Sequence, residues 1–263
     1  YGVSFLLTAS RKDLASWYLT GNRSYRAGFS PITRLGSKNI RVSREPQLRY
    51  FAPRGMYHLR GKAFDHYSKS NWMLSEEKEQ KLLQQILKNR KKYFSPFPHF
   101  KIKNQQKLVY LGRKIPIVFT HLENTGVAIT KGKISVNNVQ IFKGNWQGDT
   151  IWLVTDTQNP KSPQKTKLTE KEIKNYLQIP NHYYKKLSQK ITQNSQTTTE
   201  KIQAIVQYLR KHHGYSTQYN VERGKDPIED FLQKKKAAHC EMFASSFVML
   251  ARAQKIPARY VAG

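Results

Sequence analysis

The hydrophobic pattern of this chain changes period once, and that change limits what it can fold into. Up to about residue 156, apolar residues come in short alternating or β-branched runs; beyond about residue 168 they recur every three to four positions. Between the two lies the polar stretch Asn159–Lys167, whose Pro160 and Pro163 mark it as a linker. Strands in one block and helices in the next define an α+β chain: a mainly antiparallel β-domain followed by a helical part. Apolar residues at 38% and aromatics at 12% of 263 supply a packed core, which excludes disorder throughout.

Within the first block, 21–160, Tyr57–Leu59 and Ala63–Tyr67 read as strands. Ser75 has the character of an N-cap, followed by Glu76, Glu77 and Glu79 and then the stripe Leu82, Leu83, Ile86 and Leu87. Basic residues up to Lys92 and the stops Pro96 and Pro98 complete a pattern that predicts one inserted helix over 75–93. Leu108–Leu111, Ile115–Thr120, Val127–Thr130, Val136–Ile141 and Thr150–Val154 predict further strands.

In the second block, Thr169 with Glu172 and Thr197 with Glu200 have capping-box spacing, and Asn181 is placed to cap a helix between them. Tyr184, Leu187 and Ile191 stripe the middle helix; Ile202, Ile205, Val206 and Leu209 stripe the next, which Gly214 ends. Phe243, Phe247, Leu250 and Ala251 predict an amphipathic helix over about 240–253.

Forty-six Lys and Arg against 17 Asp and Glu give a net charge of +29, spread along the chain. Such a charge favours nucleic acid, phospholipid or acidic envelope polymers, without choosing among them. No nucleic-acid recognition motif accompanies it, so nucleic acid is not an expected partner. The longest early apolar run, Val3–Ala9, is far short of the roughly 20 residues that span a membrane. A first residue other than Met and an end at Gly263 in mid-pattern read as a segment of something longer.

A single cysteine excludes an intramolecular disulfide and a multi-thiolate zinc site, and no metal or organic cofactor is called for. Cys240 opens the last predicted helix. Two readings are open: a small buried hydrophobe, or a nucleophile whose thiolate and reacting oxyanion the helix-terminal amides stabilise. The second implies a thiol more acidic than usual. As for a base, His239 and Cys240 point about 100° apart on a helix, and His212 and His213 read as cations at a helix C-terminus. Lys234–Lys236 reads as a solvated loop.

Ala238-His239-Cys240-Glu241-Met242-Phe243-Ala244, Leu250-Ala251-Arg252-Ala253 and Ile256-Pro257-Ala258-Arg259-Tyr260-Val261-Ala262-Gly263 together resemble the core of the transglutaminase-like superfamily. Lys201–Leu209, Tyr215-Ser216, Asp226-Pro227 and Phe231-Leu232 fit its run-in, so the resemblance covers 165–263. Leu59-Arg60-Gly61 through Phe64-Asp65-His66-Tyr67 to Trp72, with Gly28-Phe29-Ser30 and Gly36, is similar to the bacterial membrane-anchored, TgpA-type members. The resemblance implies the N-terminal part of a papain-like core with Cys240 as nucleophile, and Tyr215 and His239 as possible pocket or oxyanion residues. It further implies a juxtamembrane segment at 1–20, flanking membrane helices outside this stretch, and a place on the periplasmic side of the inner membrane.

The reaction implied is acyl transfer through a Cys240 thioester, from a protein or peptide donor to an amine or water: a transglutaminase, or a related amidase or protease. The family's catalytic His and Asp lie downstream of the cysteine, and none follows Cys240 here. Residues 1–263 alone are therefore expected to be inactive. Two further departures are Ala238, where a Gly is usual, and Gln254-Lys255, where a Gly commonly precedes Ile-Pro. They support an alternative: a non-catalytic cationic module of the cell envelope that keeps the fold and binds anionic polymers. Arg259 resembles a family position that pairs with acidic groups.

Overall fold

Runs of β-branched and aromatic residues in the first block pair as antiparallel strands. The computed structural model describes residues 32–36, 38–39, 46–51, 58–86, 90–96, 102–111, 115–121, 125–156 and 168–263. The expected linker at 159–167, the segment 1–20 and Gly28-Phe29-Ser30 lie outside the described residues. The strands of the first block are β1 (Ile32–Arg34), β2 (Lys38–Asn39), β3 (Leu48–Phe51), β4 (Leu59–Arg60), β5 (Lys62–Phe64), β6 (His66–Ser68), β7 (Asn71–Met73) and β8 (Leu83–Ile86). They continue as β9 (Lys92–Ser95), β10 (Ile102–Tyr110), β11 (Ile117–Val118), β12 (Thr120–His121), β13 (Thr125–Ile129), β14 (Gly132–Val136), β15 (Phe142–Trp146) and β16 (Thr150–Asp156).

A six-stranded sheet runs in the order β3-β10-β16-β13-β9-β8, and a second of three strands in the order β11-β15-β14. Leu108, Val127, Ile151 and Leu153 from the first meet Val118, Ile134, Phe142 and Trp146 from the second in one buried cluster. Every described strand pairing is antiparallel, as the block pattern predicts.

The inserted helix over 75–93 is a misreading. Leu83–Ile86 and Lys92–Ser95 form a hairpin instead, and Tyr93 and Phe94 are buried through the pairing of β9 with β13. Two aromatics side by side are both buried in a sheet covered on both faces, and that tertiary gain outweighs a local helical stripe. Ser75 is no N-cap: its N–H and hydroxyl donate to the Asp65 carboxylate at 2.6 and 2.5 Å. Glu76 pairs with Lys78 and Lys171, and Glu77 with Lys143. The strand expected over Val136–Ile141 is mostly turn. Asn137 Oδ1 accepts from the amides of Val139 (3.2 Å) and Ile141 (2.9 Å), closing the β14–β15 connection with its side chain.

The second block gives α1 (Glu170–Tyr176), α2 (His182–Ile191), α3 (Thr198–His212), β17 (Gln218–Tyr219), α4 (Pro227–Lys234), α5 (Cys240–Ala253) and β18 (Tyr260–Ala262). Both capping boxes form, and Asn181 caps α2. Helix α5 is the axis of this half. Phe243 and Phe247 from its predicted stripe are only partly buried, whereas Met242, Ser245, Ser246, Met249 and Leu250 are inaccessible, so core surrounds most of the helix. That core includes Leu35, Phe64, Tyr67 and Trp72 of the first block beside Tyr184, Ile205, Leu209, Ile228 and Phe231 of the second.

Two polar anchors fix α5 in place. Trp72 Nε1 donates to Ser245 Oγ at 2.9 Å. Arg252, 2% exposed, donates to the carbonyls of Asp65 (2.7 Å), Ala258 (2.9 Å) and Gln178 (3.1 Å), and its guanidinium lies 5.2 Å from the Trp72 ring. Beyond α5 the chain turns into β18, which pairs with β5 (Tyr260↔Phe64, Ala262↔Lys62).

Candidate active site

Cys240 stands at the first turn of α5 because the chain entering the helix is clamped beforehand. The loop leaving α3 lies beside it: Tyr215 and Ala238 form a parallel bridge, Ala238 N–H donates to Gly214 O (3.1 Å) and Ser216 N–H to Ala238 O (3.0 Å). A Cβ on Gly214 would come within 3.3 Å of the Ala237 Cβ, so the close approach falls at Gly214. Ala238 is not among the residues with positive φ, and its departure from Gly costs no backbone strain. His239 follows in extended conformation (φ −87°, ψ 174°) as a cap residue whose side chain does not cap.

Cys240 is exposed. The helix-terminal amides of Cys240 and Glu241 and the Tyr215 hydroxyl lie beside its sulfur and favour the thiolate. Crowding by surrounding protein outweighs them, the Glu241 carboxylate adds to it, and the thiol is pushed up from its ordinary value. The expectation of an acidic thiol is thus corrected: although the residue as a whole is exposed, protein packed around its thiol and a like charge win over the helix terminus. Tyr215, in turn, is held well above the usual phenol range by burial and by the neighbouring sulfur. Its ring stacks on Phe243 at 6.5 Å with planes 9° apart.

Histidines take other places. His239 is buried, edge-on to Tyr219 at 6.4 Å, with Nδ1 3.9 Å from Glu241 Oε2. Tyr219 belongs to a polar layer beneath α4, where its hydroxyl donates to Pro227 O (2.9 Å) and Asp230 Oδ2 (3.2 Å). Lys236 completes that layer with Nζ 2.6 Å from the buried Asp230 carboxylate, so the solvated-loop reading fails for it. His213 stacks on Phe231 at 4.1 Å and sits 3.3 Å from Lys236 O through Nδ1. Burial lowers it to about 4, so it is neutral at physiological pH and not the helix-end cation its position implied. His212 stacks on Tyr208 at 4.7 Å. The structure therefore brings Tyr215 to Cys240, and neither His212 nor His213.

No group of three His, Cys, Asp or Glu among the described residues could hold a metal ion. Likewise, no described helix is long and apolar enough to cross a membrane.

The site thus combines a cysteine opening α5, a loop tyrosine beside its sulfur, and an Ile-Pro-Ala-Arg turn leading into β18, which pairs with β5. Residues 185–263 match the model of the Transglutaminase-like superfamily. The fold of the chain as a whole is similar to that of the periplasmic domain of TgpA from Pseudomonas aeruginosa. The TM-score is 0.65 at 14% identity, covering 90% of this chain and 81% of that one. A second structure of that domain, bound to ethylmercury, gives a TM-score of 0.62 at 14% identity over 90% of this chain and 82% of that one. In sequence, the chain is 33% identical over 95 residues to the uncharacterized protein YebA of Bacillus subtilis (strain 168). That match covers 34% of this chain and 13% of YebA, so the chain spans a small part of that relative.

Proposed function

We propose that the protein to which this core belongs carries out cysteine-dependent acyl transfer through Cys240. One observation carries the reading: a cysteine at a helix start, exposed as a residue, with two backbone amides and the Tyr215 hydroxyl beside its sulfur. Donors that reach the sulfur also lie near the oxygen of a carbonyl it attacks, where negative charge develops. The sulfur bonds to the carbonyl carbon of a carboxamide or peptide; the tetrahedral intermediate then expels ammonia or an amine, which takes up a proton. The resulting thioester passes its acyl group to an amine or to water.

A thiol raised above its ordinary value needs a base to take its proton, and the arrangement of His212 and His213 does not supply one. The family pattern places the base and its orienting carboxylate downstream of Cys240. Because the domain of like fold in TgpA is periplasmic, we place this segment on the extracytoplasmic side, with acidic envelope polymers as candidate partners for its +29 charge.

The raised thiol also suits a non-catalytic envelope module, and one experiment separates the two. In the complete protein, Cys240→Ser should abolish both ammonia release from a glutamine peptide and incorporation of a labelled amine, with the circular-dichroism spectrum unchanged. Turnover that survives Cys240→Ser overturns the proposal, and absence of turnover in the complete wild-type protein favours the module. Turnover by residues 1–263 alone would instead show that the base lies among them.

A further inference from the structure

At the end of α5 remote from Cys240, the turn into β18 brings two guanidiniums together. Arg60 on β4 is 2% exposed, and its Nη2 donates to Gln140 O at 3.0 Å. Arg259 Nη1 donates to Val139 O, the preceding carbonyl of the same turn, at 3.3 Å. Burial and the charge of Arg259 lower Arg60 to about 9. None of the ion pairs formed among the described residues includes either guanidinium. The family-based expectation that Arg259 pairs with an acidic group is not met there. Glu77 is engaged by Lys143 and Asn137.

Arg60 Nε, moreover, is buried without a hydrogen-bond partner. Directly opposite it on β12 stands Thr120, its register partner, 1% exposed and with Oγ1 likewise unpartnered. Register partners on antiparallel strands project from the same face, so the two orphaned groups share one small space. Leaving either unsatisfied is costly, and native proteins leave few such groups. Water would satisfy the hydrogen bonds but leave two neighbouring cations unneutralised. An anion with two or more oxygens does both, through charge-assisted bonds.

We propose that Arg60, Thr120 and Arg259 form a binding site for a small oxyanion, of carboxylate or phosphate type. Arg259 is half-buried and gives the ion a path from solvent. Helix α5, 14 residues and about 21 Å long, separates this site from Cys240, so the ion is structural or regulatory and takes no part in acyl transfer. It ties together β4, the turn at Val139 and Gln140, and the segment leading into β18.

Thermal unfolding of residues 1–263 tests this, titrating inorganic phosphate or acetate with ionic strength held constant by chloride. In the wild type one of the two anions should raise Tm by a few degrees and saturate. In Arg259→Gln and in Thr120→Val the half-saturating concentration should rise about ten-fold or more. Arg259 is only half-buried, so Arg259→Gln carries the test if the buried Thr120→Val fails to fold. A rise in Tm of equal size in wild type and variants would assign the effect to the diffuse +29 charge and overturn the proposal. No rise beyond that given by chloride would mean that water fills the space, which also overturns it.

Discussion

Lys255 is one of the described non-glycine residues whose side chain strains the fold. It lies just past the C-cap of α5 with φ +59°, in the left-handed region. Its own N–H donates to Arg252 O at 2.9 Å, and the Ile256 N–H reaches back to Ala251 O at 3.1 Å. Together these form the Schellman arrangement, which glycine serves best. A Cβ in that conformation costs about 1–2 kcal/mol, against about 0.5–1 kcal/mol of extra chain entropy that glycine loses on folding. Lys255 is exposed, so its replacement empties no cavity, but the substitution also removes a cation from a helix C-terminus, worth about 0.3–1 kcal/mol. Comparing Lys255→Gly with Lys255→Ala cancels the charge term. The glycine variant should be the more stable by about 1 kcal/mol, or about 2–4 °C in Tm for a chain near this size. Urea titration and thermal scans of the pair measure it. An alanine variant as stable as the glycine one would refute the reasoning and assign any gain over Lys to charge alone.

Four further expectations follow from the same geometry. Trp72→Phe removes the buried bond to Ser245 and should cost about 1–3 kcal/mol in urea unfolding; combined with Ser245→Ala it should cost less than the sum of the two. Tyr215→Phe withdraws a donor from the sulfur, so alkylation of Cys240 at pH 7–8, followed by intact mass, should slow about five-fold, the equivalent of about 1 kcal/mol. His213 falls from 6.5 to about 4 in the native state, so between those values the unfolded chain binds the extra proton. Stability should therefore drop as pH is lowered through that window, and His213→Phe should flatten this limb in denaturation measured from pH 7 to 4. Lys69 and Ser70 both have positive φ (46° and 64°) in the two-residue turn joining β6 and β7, and replacing them by Asn-Gly should raise Tm.

What the sequence disclosed divides along physical lines. Helix starts were legible because their chemistry is local: a Thr and a Glu three positions on satisfy each other's amides wherever the chain goes. Cys240 was legible for the same reason, as the first residue of a periodic run. Tyr93 and Phe94 were hidden, since the strand that buries them, β13, lies more than thirty residues away. Buried Arg252 could not be foreseen, because its partners are backbone carbonyls from three separate segments, and carbonyls carry no residue signature. His213 was misjudged as charged because Phe231 covers it from another helix. Lys255, by contrast, was marked in advance by the family resemblance, which leads one to expect a glycine there.

The pairing of β18 with β5 sets a timetable for the nascent chain. About two hundred residues separate Tyr260 from Phe64, so β5 emerges long before its partner exists. Until then Phe64, Tyr67 and Trp72, which end up beneath α5, have no helix to cover them. An early intermediate must therefore expose an aromatic face and an open strand edge, the combination that invites aggregation or capture by a chaperone. Excising residues 165–263 as a minimal catalytic piece would leave the complementary wound: α5 without Trp72 over Ser245 and Arg252 without the Asp65 carbonyl. The cysteine half completes its core only in the company of strands synthesised first.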